Sequence, residues 1–198
     1  MPKLARTDPV QSEDLSSRHP SRVARVWDPL VRIFHWSLAA SFVIAWLTRH
    51  SFEDIHHWAG YAAGALVIVR LLWGFLGTPY ARFSQFVRDP LTIVRYLGAM
   101  LSGREARYLG HNPAGGAMVL LLMAAMAGAA LSGWMMTTDT FFGVQWVGHV
   151  HDLLGNGLLL LVFLHLGGVA VASLRHRENL VGAMISGRKR VSQPGDVD

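Results

Sequence analysis

The chain has 198 residues, 52% of them hydrophobic and only 16% charged, with a positive mean hydropathy; soluble domains carry about 25% charged residues, so a membrane protein is implied. The net charge of +5 by itself suggests nucleic acid, but the basic residues fall between apolar runs rather than along one helical face, which fits topology and anionic lipid instead. Cysteine is absent, which excludes disulfides, iron–sulfur clusters, thiolate metal sites and a covalently attached c-type haem.

Residues 1–26 are polar and rich in serine and proline, the composition of a disordered leader rather than a cleavable signal peptide. Four runs then meet the roughly 20 residues a helix needs to cross ~30 Å of hydrocarbon. The first covers 29–48 and contains "IFHWSLAASFVIAWLT", uncharged between Arg32 and Arg49. The second, 58–77, carries one charge, Arg70. In the loop that follows, "PLTIVRYLGAML" predicts a short helix lying at the membrane interface, opened by Pro90 and ended near Gly103. The third run, 114–136, has no charge, and the fourth, 150–174, has none after Asp152. Residues 178–198 form a basic tail, in which Arg188–Arg190 read, with Arg175 and Arg177, as topology determinants and no more. Trp27, Trp46, Trp58, Trp134 and Trp146 fall near span ends, as an aromatic belt requires. The expected fold is an all-α membrane protein: a four-transmembrane-helix bundle over 27–177 with cofactor sites between its helices.

Lys and Arg number six in the leader through Arg32, five between the second and third spans, and five from Arg175 onward. Between the first and second spans there is only Arg49, and between the third and fourth there is none. The positive-inside rule therefore puts both termini in the cytoplasm.

Histidine is the residue that apolar spans least explain, because a buried imidazole is costly without a partner. In "HVHDLLGNGLLLLVFLHLGG", His151 and His165 are 14 residues apart. That is ~21 Å along a helix, within about 40° of one face, whereas His149 falls nearly opposite. No single metal can use both residues; two cofactors stacked across the bilayer can. Partners at matching depths are His35 in the first span and His56 or His57 at the start of the second, which helical geometry leaves unseparated. The spacing recurs with arginine, since Arg49 follows His35 and Arg70 follows His56 by 14 residues. With Arg32, these cations suit haem propionates. Zinc hydrolysis would need ligands gathered at one depth with a carboxylate base, and ion transport would need intramembrane acids; the spans offer neither. Bis-histidine haem needs only two imidazoles from facing helices. His19, His50, His111 and His176 lie in leader, loops and tail and carry no site. The small-residue stretches "GYAAG", "AMAGAALSG" and "GNG" admit either a neighbouring helix or a flat macrocycle.

The stretches "VWDPLVRIFHWSL", "HHWAGYAAGALVIVRLLWGFLG", "PYARF", "YLGHNPAGG" and "VHDLLGNGLLLLVFLHLGGVAVASLRHRENLVGAMISGRK" resemble the bacterial cytochrome b561 family, which includes the b-type cytochrome subunits of Ni-hydrogenases. The resemblance runs from about Arg25 to Arg190. It implies a four-helix membrane bundle with two non-covalent b haems held by histidines of the first, second and fourth helices. By the resemblance His35, His56, His151 and His165 are the iron ligands; His56 matches a H-x-W-x-G-Y pattern, which selects it over His57. Family members pass electrons between quinol and a redox partner. The implied partners are therefore membrane lipid, the quinone pool, and a periplasmic c-type cytochrome or a hydrogenase or dehydrogenase subunit. Two other classes stay open: a haem-bearing anchor subunit of a larger enzyme, and a haem-free transporter or structural membrane protein.

Overall fold

The computed structural model describes residues 23–197; the leader through residue 22, with His19, lies outside the described residues. Strand β1 (Val23–Arg25) leads into α1 (Pro29–Thr48) and α2 (Glu53–Leu76). A 3-10 turn at Pro79–Ala81 and the short α3 (Phe83–Phe86) connect to α4 (Pro90–Leu101). Then follow α5 (Pro113–Met136), α6 (Gln145–Arg175), α7 (Leu180–Ser186) and strand β2 (Arg188–Arg190). Helices α1, α2, α5 and α6 are long and apolar enough to cross a membrane, so the chain is an all-α membrane bundle. Adjacent pairs are α1 with α2, α2 with α5, and α5 with α6.

Side-chain caps fix where the helices begin. Asp28 accepts from the Val31 amide at 2.9 Å, Asp89 from Thr92 at 2.9 Å, and Asn112 from Gly115 at 2.6 Å. Each is followed by proline at the first helical position, where the missing N–H costs nothing. All three starts lie at the end of the bundle that carries both described termini, called here the terminal end. The other end, made by the connections 49–52 and 137–144, is the loop end.

Two helices outrun their apolar windows. α2 begins at Glu53 rather than near 58, with Glu53 and Asp54 in its first turn, where the helix dipole favours acids. α6 has 31 residues, because polar Gln145 and aromatic Trp146 extend it beyond the hydrocarbon stretch. Hydropathy windows see lipid depth, not helix length.

The core between the four helices is small: Ala63 and Val67 of α2, Met126 and Ala129 of α5 and Leu158 of α6, with Leu38 and Phe42 of α1 against them. Most apolar surface instead faces outward, as on Ile33, Leu47, Leu72, Leu160 and Phe163, the pattern of a protein solvated by lipid.

At the terminal end the described start of the chain pairs with its tail. Val23–Arg25 pairs antiparallel with Arg188–Arg190, and Gly187 carries the turn at φ 78°. Any Cβ at Gly187 would meet the Trp27 carbonyl oxygen at 2.6 Å, so only glycine fits there. The tail cations do more than set topology. Lys189 is 5% exposed; its ammonium donates to the Tyr108 and Leu109 carbonyls at 3.0 and 2.9 Å. Arg175 donates to the Met100 carbonyl and to Glu105, tying α6 to the end of α4.

Candidate functional site

Two pairs of imidazoles face each other across the bundle, one on each side of the core. At the loop end the rings of His56 and His151 have centroids 6.0 Å apart at 81°. At the terminal end His35 and His165 are 6.4 Å apart at 54°. Two imidazoles on opposite sides of one metal, each nitrogen about 2 Å from it, put their centroids about 6 Å apart. Leu158 of the core lies on α6 midway between the two histidines of that helix.

The loop-end rings are held by their Nδ1 atoms. His56 Nδ1 lies 2.8 Å from the Ala45 carbonyl oxygen. Ala45 is in the last turn of α1, where carbonyls have no intrahelical partner. His151 Nδ1 lies 3.0 Å from the Ala129 carbonyl oxygen, with Ser132 Oγ at 3.3 Å. A carbonyl only accepts, so Nδ1 is the donor, and a neutral ring then carries its lone pair on Nε2. This is how proteins orient a histidine for a metal. Gly133 makes room for the ring: a Cβ there would come within 3.0 Å of His151 Cε1.

Between these rings lies a cavity of about 610 Å³ lined by apolar Phe42 and Met126, by Gly60 and Gly155, and by Arg49. A volume of that order suits a drug-sized or cofactor-sized ligand. Nothing stands within 4 Å of where a Cβ on Gly60 or Gly155 would be, so those glycines open the cavity. Gly64, whose Cβ would meet that of Ala130 at 3.3 Å, and Gly128, against Leu154, instead bring helices together. The glycine patterns thus serve both purposes. Arg49 is exposed at the rim, its guanidinium 3.7 Å from the Trp46 ring centroid.

At the terminal end the polar atoms are less settled. His35 Nδ1 is buried without a hydrogen-bond partner. Arg70 is 3% exposed; its Nη2 donates to the Ala81 carbonyl at 2.9 Å, while Nη1 is buried and unpartnered. Arg32 turns toward α7, donating from Nη1 to the Ile185 carbonyl at 2.7 Å, and its Nε is buried without a partner. His57 lies 4.0 Å from Glu53 on its own helix, and His149 is exposed. Among the described residues no group of three or more His, Cys, Asp or Glu could hold a metal ion; the facing pairs are the available donor sets.

Residues 26–187 match the family model described as prokaryotic cytochrome b561. The chain belongs to the prokaryotic cytochrome b561 family. It is a b-type cytochrome, an integral membrane protein that carries haem b and takes part in electron transfer. A curated relative, a probable Ni/Fe-hydrogenase B-type cytochrome subunit of Rhodobacter capsulatus, is 24% identical over 231 aligned positions, covering 92% of this chain and 87% of the relative. No solved structure gives a significant match.

The geometry fits the cofactor of a b-type cytochrome: opposed imidazoles, a cavity with glycine walls, and buried donors without partners. The backbone carbonyls of Ala45 and Ala129 are invisible to sequence reasoning, because a carbonyl has no residue signature. It also passed over His111, whose ring sits between Trp27 at 4.7 Å and Phe86 at 4.8 Å.

Proposed function

We propose that this cytochrome holds two b haems, one near each membrane surface, and passes electrons between them across the bilayer. His56 and His151 would hold the haem at the loop end, and His35 and His165 that at the terminal end. The observation that carries this reading is the presence of two imidazole pairs, 6.0 and 6.4 Å across, separated by 14 residues of one helix.

When bound, haem b supplies a one-electron iron couple. The rest belongs to the chain. Two imidazoles for each iron would suit electron transfer rather than oxygen chemistry. The bonds from Nδ1 of His56 and His151 to carbonyls orient Nε2 and raise its basicity. Arg49 stands where a propionate at the loop end would meet water, and Arg70, with Arg32, supplies donors at the terminal end. The core of Ala63, Val67, Met126, Ala129 and Leu158 keeps water out between the sites.

The charge distribution supports cytoplasmic termini, in a bacterial inner membrane, so that the loop-end site is periplasmic. On this reading the quinone pool is the lipid-side donor or acceptor, and a c-type cytochrome or an enzyme subunit is the aqueous partner. The R. capsulatus relative favours a second form of the same function, in which the chain is the haem-bearing anchor of a hydrogenase or dehydrogenase. Stable co-purification of a larger subunit would distinguish it.

The test is the haem-to-chain ratio of purified protein, with extraction by acid acetone. Two extractable haems per chain are expected. A ratio of one, or none, contradicts the reading, as does haem that resists extraction.

A further inference from the structure

Besides His35 Nδ1, on a ring already assigned to the iron, three nitrogens at the terminal end share one condition: Arg70 Nη1, Arg32 Nε and His111 Nδ1 are buried without a hydrogen-bond partner. Leaving such a group unpaired costs about 1–3 kcal/mol, so three together mark a place built for something that accepts. They belong to one neighbourhood. Phe86, 1% exposed, has the His111 ring 4.8 Å from its centroid on one side and the Arg70 guanidinium 6.0 Å away. The ring of Trp27, five residues before Arg32 on the same segment, is 4.7 Å from that of His111.

The chemistry narrows the occupant. Arginine only donates, so a cation or another donor is excluded. The charged and titratable groups acting on His111 are Arg70, Lys189, His165 and His35, none of them acidic. Burial, reinforced by Arg70 and Lys189, pushes the His111 pKa down to about 3. Its ring is therefore neutral and has one N–H to give. The carboxylate that acts on Arg70 is Asp28, but its oxygens are taken by the Val31 amide, Trp73 and Thr78, so the buried donors of Arg70 and His111 still call for an anion with several lone pairs.

We infer that His111 and Arg70 together form the pocket for a propionate of the haem held by His35 and His165. His111 donates through Nδ1 to one carboxylate oxygen and Arg70 through Nη1 to the other. His111 is thus a cofactor-positioning residue although it lies in a turn outside every membrane span. The inference rests on the dihaem reading proposed above.

A combined exchange of residue and cofactor tests it. Full-length apoprotein, wild type or variant, is reconstituted with haem b or with its propionate dimethyl ester. The readout is the rate at which the terminal-end haem is lost to an excess of a haem-binding acceptor. His111→Phe keeps a flat ring between Trp27 and Phe86 but removes the donor; His111→Gln keeps an N–H donor. With haem b, His111→Phe should lose the terminal-end haem roughly tenfold faster than wild type, the size of one charge-assisted hydrogen bond. His111→Gln should stay near wild type. With the dimethyl ester, wild type and His111→Phe should lose haem at the same rate, since the interaction is already gone. The loop-end haem of the same molecules reports that the bundle is folded. Equal acceleration by His111→Phe with both haems would show that the ring acts by packing and overturns the inference, as would no acceleration with either. Wild type that takes up no haem at the terminal end overturns the dihaem reading itself, a different result from both.

Discussion

A single missing side chain sets the loop-end site. Gly133 lets the His151 ring lie against the α5 backbone, and the nearest ring atom would be 3.0 Å from any Cβ placed there. Gly133→Val should therefore displace the ring, costing about 1–3 kcal/mol by overpacking. The loop-end haem should fall to substoichiometric occupancy while the terminal-end haem stays, as measured by redox titration of the visible bands. Equal loss of both would mean that the glycine serves helix packing in general. His35, His151 and His165 could be picked from the sequence because intramembrane imidazoles are rare and 14-residue spacing returns to one helix face, whereas only the family resemblance separated His56 from His57. What holds them could not: Ala45 and Ala129 act through carbonyls, and Gly133 through the absence of an atom. His111 was equally hidden, since a histidine in a turn carries no periodicity.

Among the elements, the four spans were legible and the terminal cap was not. A membrane span declares itself over some 20 residues of composition. A three-residue strand pairing across 167 positions, Val23 with Arg190, has no local signature at all. The cap is held by a buried ion network. Arg107, 5% exposed, binds Glu178 at 2.8 Å and Asp196 at 2.5 Å and donates to the Arg190 carbonyl at 2.8 Å. Lys189 adds a contact to Glu178 at 3.6 Å. Arg107→Leu strands two buried carboxylates, so it should destabilise the cap by about 3–5 kcal/mol, seen as tail cleavage by protease under conditions where the wild type resists. The same network gives the cap a pH dependence. Burial alone would raise Glu178, but the Arg107 hydrogen bond, Lys189 and the Arg190 amide hold it below the usual carboxylate range. Asp196 is lowered as well, by the Gln193 amide and Arg107 against the effect of burial. Carboxylates depressed in the folded state contribute stability that is complete above their unfolded value, about 4, and lost as pH falls through the folded values. A fluorophore on a cysteine introduced at Gln193, the first cysteine in the chain, should therefore gain mobility below pH ~4 and not at neutral pH. Mobility that rises toward alkaline pH instead would assign the cap to other groups.

At the scale of the whole molecule, two sites stacked along one helix demand a defined orientation in the bilayer. Among the described residues the loop end has Arg49 as its one Lys or Arg, beside Glu53, Asp54, Asp139 and Asp152, while the terminal end gathers the remaining cations outside the spans. A reporter active only in the periplasm should be silent when fused after Asp198 and active when inserted near Thr140; the reverse pattern would invert the assignment of the two sites. The central claim is that each iron is shared crosswise, His35 with His165 and His56 with His151, at depths ~21 Å apart along α6. The most direct test is the haem-to-chain ratio of two double variants in folded protein. His35→Ala with His165→Ala removes both ligands of one iron, so one haem per chain should remain. His35→Ala with His151→Ala removes one ligand from each iron, so both sites should lose haem or turn high-spin. One intact low-spin haem in the second double variant, and none in the first, would contradict the pairing.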